Sequence, residues 1–351
     1  MPLASTLSAD QMVERYQRSL RRRLAVTLGL GLAIVAALVL DMLTGPAGLP
    51  LSELVQTLLH PQQAQPGLRV IVWEFRLPYA LTALLVGASL GLGGAEMQTV
   101  LDNPLASPYT LGVSAASAFG AALAITLDWQ LPFLPASLSV SVFAFVAALL
   151  ATLVLERVAR GGAVLGVVLF GIALVYTFQA LIMLLQFLAT EEALQGIVFW
   201  TMGSLARASW LSTGTLALAL LLLAPTAARD AWRLTALRLG EARAASLGID
   251  TARLRLRSLL RVSVLAALAV SFVGTVGFVG LVAPHIARYM AGEDHRYYLP
   301  ASALCGALIM SLASVASKAL IPGALVPIGI VTSLVGIPFF LTIVARAIRR
   351  G

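Results

Sequence analysis

Acidic side chains inside apolar stretches are the residues of this sequence best placed to do chemistry. Glu96 lies in an apolar, glycine-rich stretch just before Gln98, and Asp41 lies near the end of another apolar stretch. Ionised carboxylates are costly in hydrocarbon, so intramembrane acids tend to face a bundle interior or a wet cavity. Glu96 is therefore interpreted either as a polar group lining a transport path or as a protonated or hydrogen-bonded carboxyl paired with Gln98 or a neighbouring helix. An ion-coupled secondary transporter or a channel would rely on Glu96 or Asp41.

Other reactive constellations are sparse in the sequence. His60, His285 and His295 lie far apart, so no metal site is expected, and no acid or second histidine lies at helical spacing from His285 to support an intramembrane enzyme. Cys305 is the only cysteine, which excludes a disulfide within one chain. Lys318 is the only lysine, and no Gly-x-x-x-x-Gly-Lys-Ser/Thr motif is present. We therefore expect no cofactor in this chain, and ATP with its Mg on a partner ATPase if ATP is used.

The composition predicts a polytopic integral membrane protein. The chain is 59% hydrophobic and 11% charged, with a mean hydropathy of +0.92, whereas soluble domains carry about 25% charged residues. A membrane-spanning helix needs roughly 20 mostly apolar residues, and the sequence offers ten candidate segments, the eighth of them short, in one all-α transmembrane domain over 24–346. The candidate spans are about 24–43, 78–98, 109–127, 137–156, 164–188, 210–227, 259–277, 279–291, 299–319 and 327–346.

The basic residues predict the orientation of these spans. When ten spans are threaded, all but four of the 24 basic residues fall on one side, together with the tails 1–23 and 347–351 and the loop 228–258. The exceptions are Arg69, Arg76, Arg207 and Lys318. Basic residues stay cytoplasmic, so both termini are expected in the cytoplasm. The net charge of +8 needs no nucleic acid to explain it.

Three punctuated stretches interrupt the apolar background. Pro104 and Pro108 cannot both lie inside a regular helix, so the stretch 102–108 is either a structured turn or a plain connection between helices. An Ala-rich segment within 239–250, bracketed by glycines, is either a helix that fits a partner's groove or an interfacial helix on anionic lipid. Glycines and a proline in 274–284 indicate a tight helix pair or a broken helix.

In their order and spacing, these stretches resemble the FecCD family of ABC importer permeases, which includes the cobalamin importer permease. The resemblance runs from about Leu20 to Arg346. The matching motifs are Arg76-Leu77-Pro78, Asn103-Pro104-Leu105-Ala106, Phe199-Trp200-Thr201-Met202-Gly203-Ser204-Leu205, Leu239-Gly240-Glu241, Phe278-Val279-Gly280-Leu281, Pro284-His285 and Pro327-Ile328-Gly329-Ile330-Val331-Thr332.

The resemblance implies a fold, a function and partners. The fold would be that of the cobalamin permease, with ten membrane helices in the bacterial cytoplasmic membrane. The chain would be a permease subunit, not an enzyme, and would move an iron(III)–siderophore or related iron complex, or alternatively haem or cobalamin. Its partners would be a second permease chain (identical or paralogous), two ATP-binding-cassette ATPases, an extracytoplasmic binding protein and membrane lipid.

The resemblance also implies three sets of site residues. The coupling helix that contacts the ATPase would contain Gly240, Glu241, Ala242, Arg243, Ala244, Ala245, Leu247 and Gly248. Gate or pathway positions would be Asn103, Pro104 and Leu105 near Glu96, and a second gate at Ala163, Val164 and Leu165. The second gate is more polar in the cobalamin permease, so closure here would rely more on dewetting.

The third implied set docks the binding protein. Arg76 and Lys318 match two docking positions, whereas Tyr79 replaces an arginine at a third, which Arg207 or Arg69 could compensate. Arg76 could instead be an interfacial anchor whose charge reaches the head groups.

Overall fold

The protein is built from helices. A computed structural model describes residues 9–45, 48–161 and 164–348, and no strand occurs among them. The α-helices are α1 Ala9–Leu43, α2 Leu51–Leu59, α3 Pro66–Val70, α4 Leu77–Val100, α5 Val113–Thr126, α6 Ala136–Gly161, α7 Val164–Leu188, α8 Glu191–Thr201, α9 Trp210–Leu237, α10 Glu241–Ser246, α11 Thr251–Val273, α12 Val279–Ala291, α13 His295–Ala319 and α14 Ile328–Ile348. A π-helical segment, Ile71–Arg76, joins α3 to α4, and a 3-10 turn, Leu205–Arg207, precedes α9.

The helices confirm the prediction of an all-α membrane protein with about ten spans. Seven helical segments within the described residues are long and apolar enough to cross a membrane. They are Leu20–Leu43, Pro66–Val100, Ala136–Val158, Gly166–Leu188, Trp210–Leu237, Thr251–Val273 and His295–Ala319. The shorter helices α5, α12 and α14 fall where the remaining three spans were predicted.

Several helix boundaries differ from the prediction. The first helix runs unbroken from Ala9 through the predicted tail, and α9 and α11 extend into the predicted loop 228–258, which is therefore mostly helical. The reason is that the predicted spans were ended where arginines lower the hydropathy. Ala, Leu and Arg are all good helix formers, so the helices continue past those points. The short helices α2 and α8 were not predicted.

The two ends of the bundle differ in charge. We call the end that holds α10 and the turn 101–112 the arginine-rich side, and the end that holds α2 and α8 the opposite side. On the arginine-rich side, Arg23 of α1 lies 3.7 Å from Asp294, and Arg238 after α9 lies 3.0 Å from Glu293. These ion pairs join the helix ends there.

The stretch 274–284 contains a non-helical break followed by the start of α12. Residues 274–278 between α11 and α12 are not helical, and Phe278 has a left-handed backbone (φ 64°). On the opposite side, this break meets the segment after α8, where Ser204 N donates to Val273 O at 2.6 Å. The helices on either side of the break therefore remain separate elements.

Glycines let the central helix α4 approach its neighbours closely. Helix α4 is largely buried and packs on α9, α11, α12 and α13. A Cβ at Gly94 would lie 1.8 Å from Gly280 O, and one at Gly87 would lie 2.2 Å from Gly306 O. Small residues allow such backbone contacts between membrane helices, so Gly280 of the glycine-rich stretch forms a tight helix crossing.

Gly94→Ala is expected to destabilise the fold because the contacted atom belongs to the backbone and cannot move aside alone. Overpacking of this kind typically costs about 1–3 kcal/mol. Gly214→Ala on α9 is the matched control, since a Cβ there meets nothing within 4 Å. Thermal unfolding of both purified variants in the same detergent gives the comparison. Equal midpoints for the two variants would contradict the close crossing of α4 and α12.

Candidate functional site

The connection between α4 and α5 on the arginine-rich side is a structured turn. Leu105 N donates to Asn103 Oδ1 at 2.9 Å, and Ser107 and Thr110 exchange backbone-to-hydroxyl hydrogen bonds of 2.9 and 3.2 Å. Pro104 and Leu105 are exposed, whereas Pro108 is buried. The turn therefore holds the predicted gate residues in one fixed, locally bonded arrangement, as expected from its two prolines.

The predicted coupling segment is a short helix held between two glycines with positive φ values. Gly240 and Gly248 have left-handed φ values of +102° and +78°, a region that glycine enters at no steric cost. Helix α10 between them has six residues. The two glycines end the neighbouring segments, so α10 is a separate short helix between α9 and α11.

The side chains of α10 divide into an inner and an outer set. Ala244 is fully buried in the core of the chain, whereas Ala242, Arg243, Ala245 and Leu247 are exposed. Ala244 therefore supports α10 from inside, and the exposed members present small side chains and one guanidinium beside the exposed Glu241 and Ser246. A surface of this shape suits insertion into a groove of another protein.

Glu96 is part of a buried ion network. Its carboxylate accepts from Arg261 Nε at 3.1 Å and from Nη2 at 2.8 Å, and Arg261 Nη1 donates to Asp230 Oδ2 at 2.9 Å. Arg233 donates to the second oxygen of Asp230 at 2.9 Å. The partner of Glu96 is thus a neighbouring helix, α11. Gln98 instead donates to the backbone of α12.

Sequence reasoning missed this network because Arg261 was counted among the basic residues of the cytoplasmic side. One local signal was present: Asp230 shares a buried stripe of α9 with Ala227, Leu234 and Leu237. An acid in such a stripe requires a buried partner.

A histidine joins three helix ends on the arginine-rich side. His295 is fully buried, with Nε2 at 2.7 Å from Thr99 Oγ1 and Nδ1 at 3.2 Å from Thr235 Oγ1.

Asp294 caps helix α13 by accepting from Arg296 N. Partial burial raises the pKa of Asp294, but hydrogen bonds from Arg296 outweigh this and hold it below its usual range. The carboxylate thus stays ionised at neutral pH and keeps the start of α13 in place.

The predicted docking residues Arg76, Tyr79 and Lys318 meet on the opposite side, inside the chain. Lys318 Nζ lies 3.0 Å from Asp41 Oδ1 and 4.1 Å from the centre of the Tyr79 ring. Arg76 donates to the carbonyls of Met42 and Leu43 at the end of α1, where a cation is favourable. These contacts tie α1, α4 and α13 together, and the docking role of Arg76 and Lys318 stays a prediction.

The remaining arginines on that side differ in exposure. Arg207 donates to Val273 O at 2.9 Å and lies over the Trp200 ring at 5.3 Å. Burial lowers the pKa of Arg207 to about 10, which leaves it protonated at neutral pH. Arg69 is exposed, so it presents its charge to solvent more fully than Arg207.

Lys318→Met is expected to destabilise the chain by about 3–5 kcal/mol, because it leaves Asp41 buried without its cation. Arg69→Met, an exposed cation on the same side, is expected to leave stability unchanged. Thermal unfolding in detergent separates the two variants. If Lys318→Met unfolds at the temperature of Arg69→Met, the pair with Asp41 does not hold the helices together.

The second predicted gate lies at the edge of the described residues. Ala163 lies outside the described residues, and Val164 and Leu165 are described only as the first backbone positions of α7. Within residues 9–45, 48–161 and 164–348, no group of three His, Cys, Asp or Glu side chains could hold a metal ion.

Comparisons with known proteins identify the family. The FecCD transport family model matches residues 32–346. A probable iron chelatin transport system permease protein of Helicobacter pylori is 37% identical over 91% of this chain and 98% of its own. The molybdate import system permease protein of Haemophilus influenzae is 35% identical over 93% of this chain and 97% of its own.

A solved structure agrees in fold. An inward-facing conformation assigned to the metal-chelate type of ABC transporter superposes with a TM-score of 0.80 at 32% identity, over 92% of this chain and 99% of the other. The family match covers nearly the whole chain and agrees with the motifs found along it. The chain therefore belongs to the FecCD transport family, the transmembrane permeases of ABC importers.

Proposed function

We propose that this permease moves an iron(III)–siderophore or a related iron complex from an extracytoplasmic binding protein into the cytoplasm. The observation that carries the proposal is the arrangement of the arginine-rich side, where α10 presents exposed small residues beside the fixed turn at 101–112. An ATPase seated on α10 would act next to a gate. The relative named for iron chelatin and the metal-chelate type structure support an iron complex as the substrate.

The orientation follows from charge. Most arginines cluster with α10 on one side, and basic residues are retained in the cytoplasm. Both chain ends and α10 would therefore face the cytoplasm, where ATP is available to two partner ATPases. The opposite side, with exposed Arg69, would face the binding protein.

A second permease chain would pack along α7. Little of this apolar helix is buried in the chain, yet it exposes the polar side chains of Tyr176, Thr177 and Gln179. Such groups form hydrogen bonds across membrane helices or line wet paths. A dimer that encloses the substrate path on this face of α7 accounts for them.

The two buried acids are each paired with a basic side chain, which argues against ion-coupled transport by the chain alone. Glu96 is bound to Arg261, and Asp41 is bound to Lys318. A carboxyl that must load and release an ion during each cycle needs access to water, which neither of these buried groups has. Both acids are thus assigned to structure.

Reconstitution tests the proposed function. The chain is co-expressed with an ATPase and a binding protein encoded beside it, and ATP hydrolysis and uptake are measured in proteoliposomes. Binding protein is added empty or loaded with iron(III)–siderophore, haem, cobalamin or molybdate. Stimulation by the iron complex supports the proposal, whereas stimulation by another ligand alone reassigns the substrate. Flux through the chain without any ATPase would overturn the importer mechanism.

A further inference from the structure

A single arginine connects the exposed helix α10 with the end of α4, directly before the turn at 101–112. Arg255, near the start of α11, contacts Glu241 Oε1 through Nη2 and donates from Nε to Val100 O at 3.1 Å. Glu241 is the first residue of α10, and Val100 is the last residue of α4. One guanidinium therefore touches both elements at once.

Helix α10 is joined to its neighbours through glycines, so the contact of Arg255 with Glu241 is a further link between α10 and the rest of the chain. Helix α10 is joined to α9 and α11 through Gly240 and Gly248, and a Cβ at either glycine would meet nothing within 4 Å. Both glycines have positive φ values, and the buried side chain of Ala244 anchors the inner face of α10. The Arg255 side chain is 22% exposed, so its contacts are partly shielded from water.

The acceptor on α4 also has a particular position. Val100 is followed directly by the turn that contains Asn103 and Leu105. A carbonyl at the end of a helix carries partial negative charge and attracts a cation. A displacement of Arg255 would therefore pull on the end of α4 and, through it, on the turn.

We propose that Arg255 is a positioning residue that transmits a displacement of α10 to the turn at 101–112. This role rests on the proposed function, in which α10 contacts an ATPase and the turn is a gate. A planar guanidinium holds two acceptors in fixed directions, whereas a lysine ammonium is a single point on a flexible stem. The arginine side chain is thus required for both contacts together.

A distance measurement on the full chain tests the bridge without any ATPase or substrate. Spin labels are placed at Ser246→Cys on α10 and Leu105→Cys on the turn, both exposed, in a Cys305→Ala background. In lipid nanodiscs, Arg255→Gln and Arg255→Lys are expected to broaden the distance distribution. Arg253→Gln is the matched control, since Arg253 is 68% exposed and pairs only locally with Asp250 at 3.5 Å. Identical distributions for Arg255→Gln and Arg253→Gln would overturn the bridge.

A transport measurement on the unlabelled complex tests the consequence. Arg255→Gln is expected to lower the number of substrate molecules moved per ATP by roughly tenfold, the scale of one lost charge-assisted hydrogen bond, while ATP hydrolysis continues. Unchanged coupling in Arg255→Gln would refute the transmitting role. If no ATPase associates with the wild-type chain, the proposed function fails, and the spin-label result still decides whether the bridge exists.

Discussion

Arg261→Met is expected to lower the free energy of unfolding by about 3–5 kcal/mol, the usual cost of removing one partner from a buried ion pair. The arginine is the shared cation of Glu96 and Asp230, and all three side chains are buried. Without it, two carboxylates would face each other in the core between α4, α9 and α11. Thermal unfolding and the yield of monodisperse protein in detergent measure the effect.

Two further variants make the cause of that loss specific. Arg257→Met removes an exposed arginine from the same helix and is expected to leave stability unchanged. The triple variant Glu96→Met, Asp230→Leu and Arg261→Met removes every charge of the trio, and such apolar replacements are often neutral or stabilising. Recovery in the triple variant, together with loss in the single one, assigns the cost to unpaired charge. An Arg261→Met protein as stable as Arg257→Met would exclude a structural role for the network.

The sequence predicted those features of the fold that depend on local chemistry. Apolar segments fell on seven helices long enough to cross a membrane and on three further helices, and the proline pair indicated an interruption that is a structured turn at 101–112. The predicted bounds of the loop 228–258 were wrong, since α9 and α11 both extend into it. A fall in hydropathy marks the end of the apolar segment, but the helix can continue beyond that point. Arginine-rich helical extensions of α9 and α11 fill most of the predicted loop.

Long-range pairing could not be predicted from the sequence. Glu96 and Arg261 are 165 positions apart, and Lys318 donates to a residue 277 positions away. A single sequence shows that a charge lies in an apolar segment, but its partner is set by which helices pack together. Threading placed Arg76 and Lys318 on a common side, whereas their burial against α1 became evident only from the structure.

Ala245→Trp is expected to reduce substrate uptake per ATP by about tenfold or more in the assembled transporter. Ala245 is exposed on α10, and a bulky side chain there would enlarge a surface proposed to seat in an ATPase groove. Overpacking of a close-fitted contact typically costs about 1–3 kcal/mol, which corresponds to roughly 5- to 150-fold in an equilibrium constant. Uptake and ATP hydrolysis are measured on the same proteoliposomes.

The burial of Ala244 makes Ala245 the better position for testing contact with the ATPase. Ala244 is fully buried within the chain, so Ala244→Trp would disrupt the fold and could not report on coupling. Ala228→Trp, an exposed position on α9 away from α10, adds the same bulk as Ala245→Trp and is expected to retain normal coupling. Loss of coupling in Ala245→Trp alone identifies α10 as the ATPase contact. Wild-type coupling in that variant, with the ATPase still bound, would mean that the ATPase engages another part of the arginine-rich side.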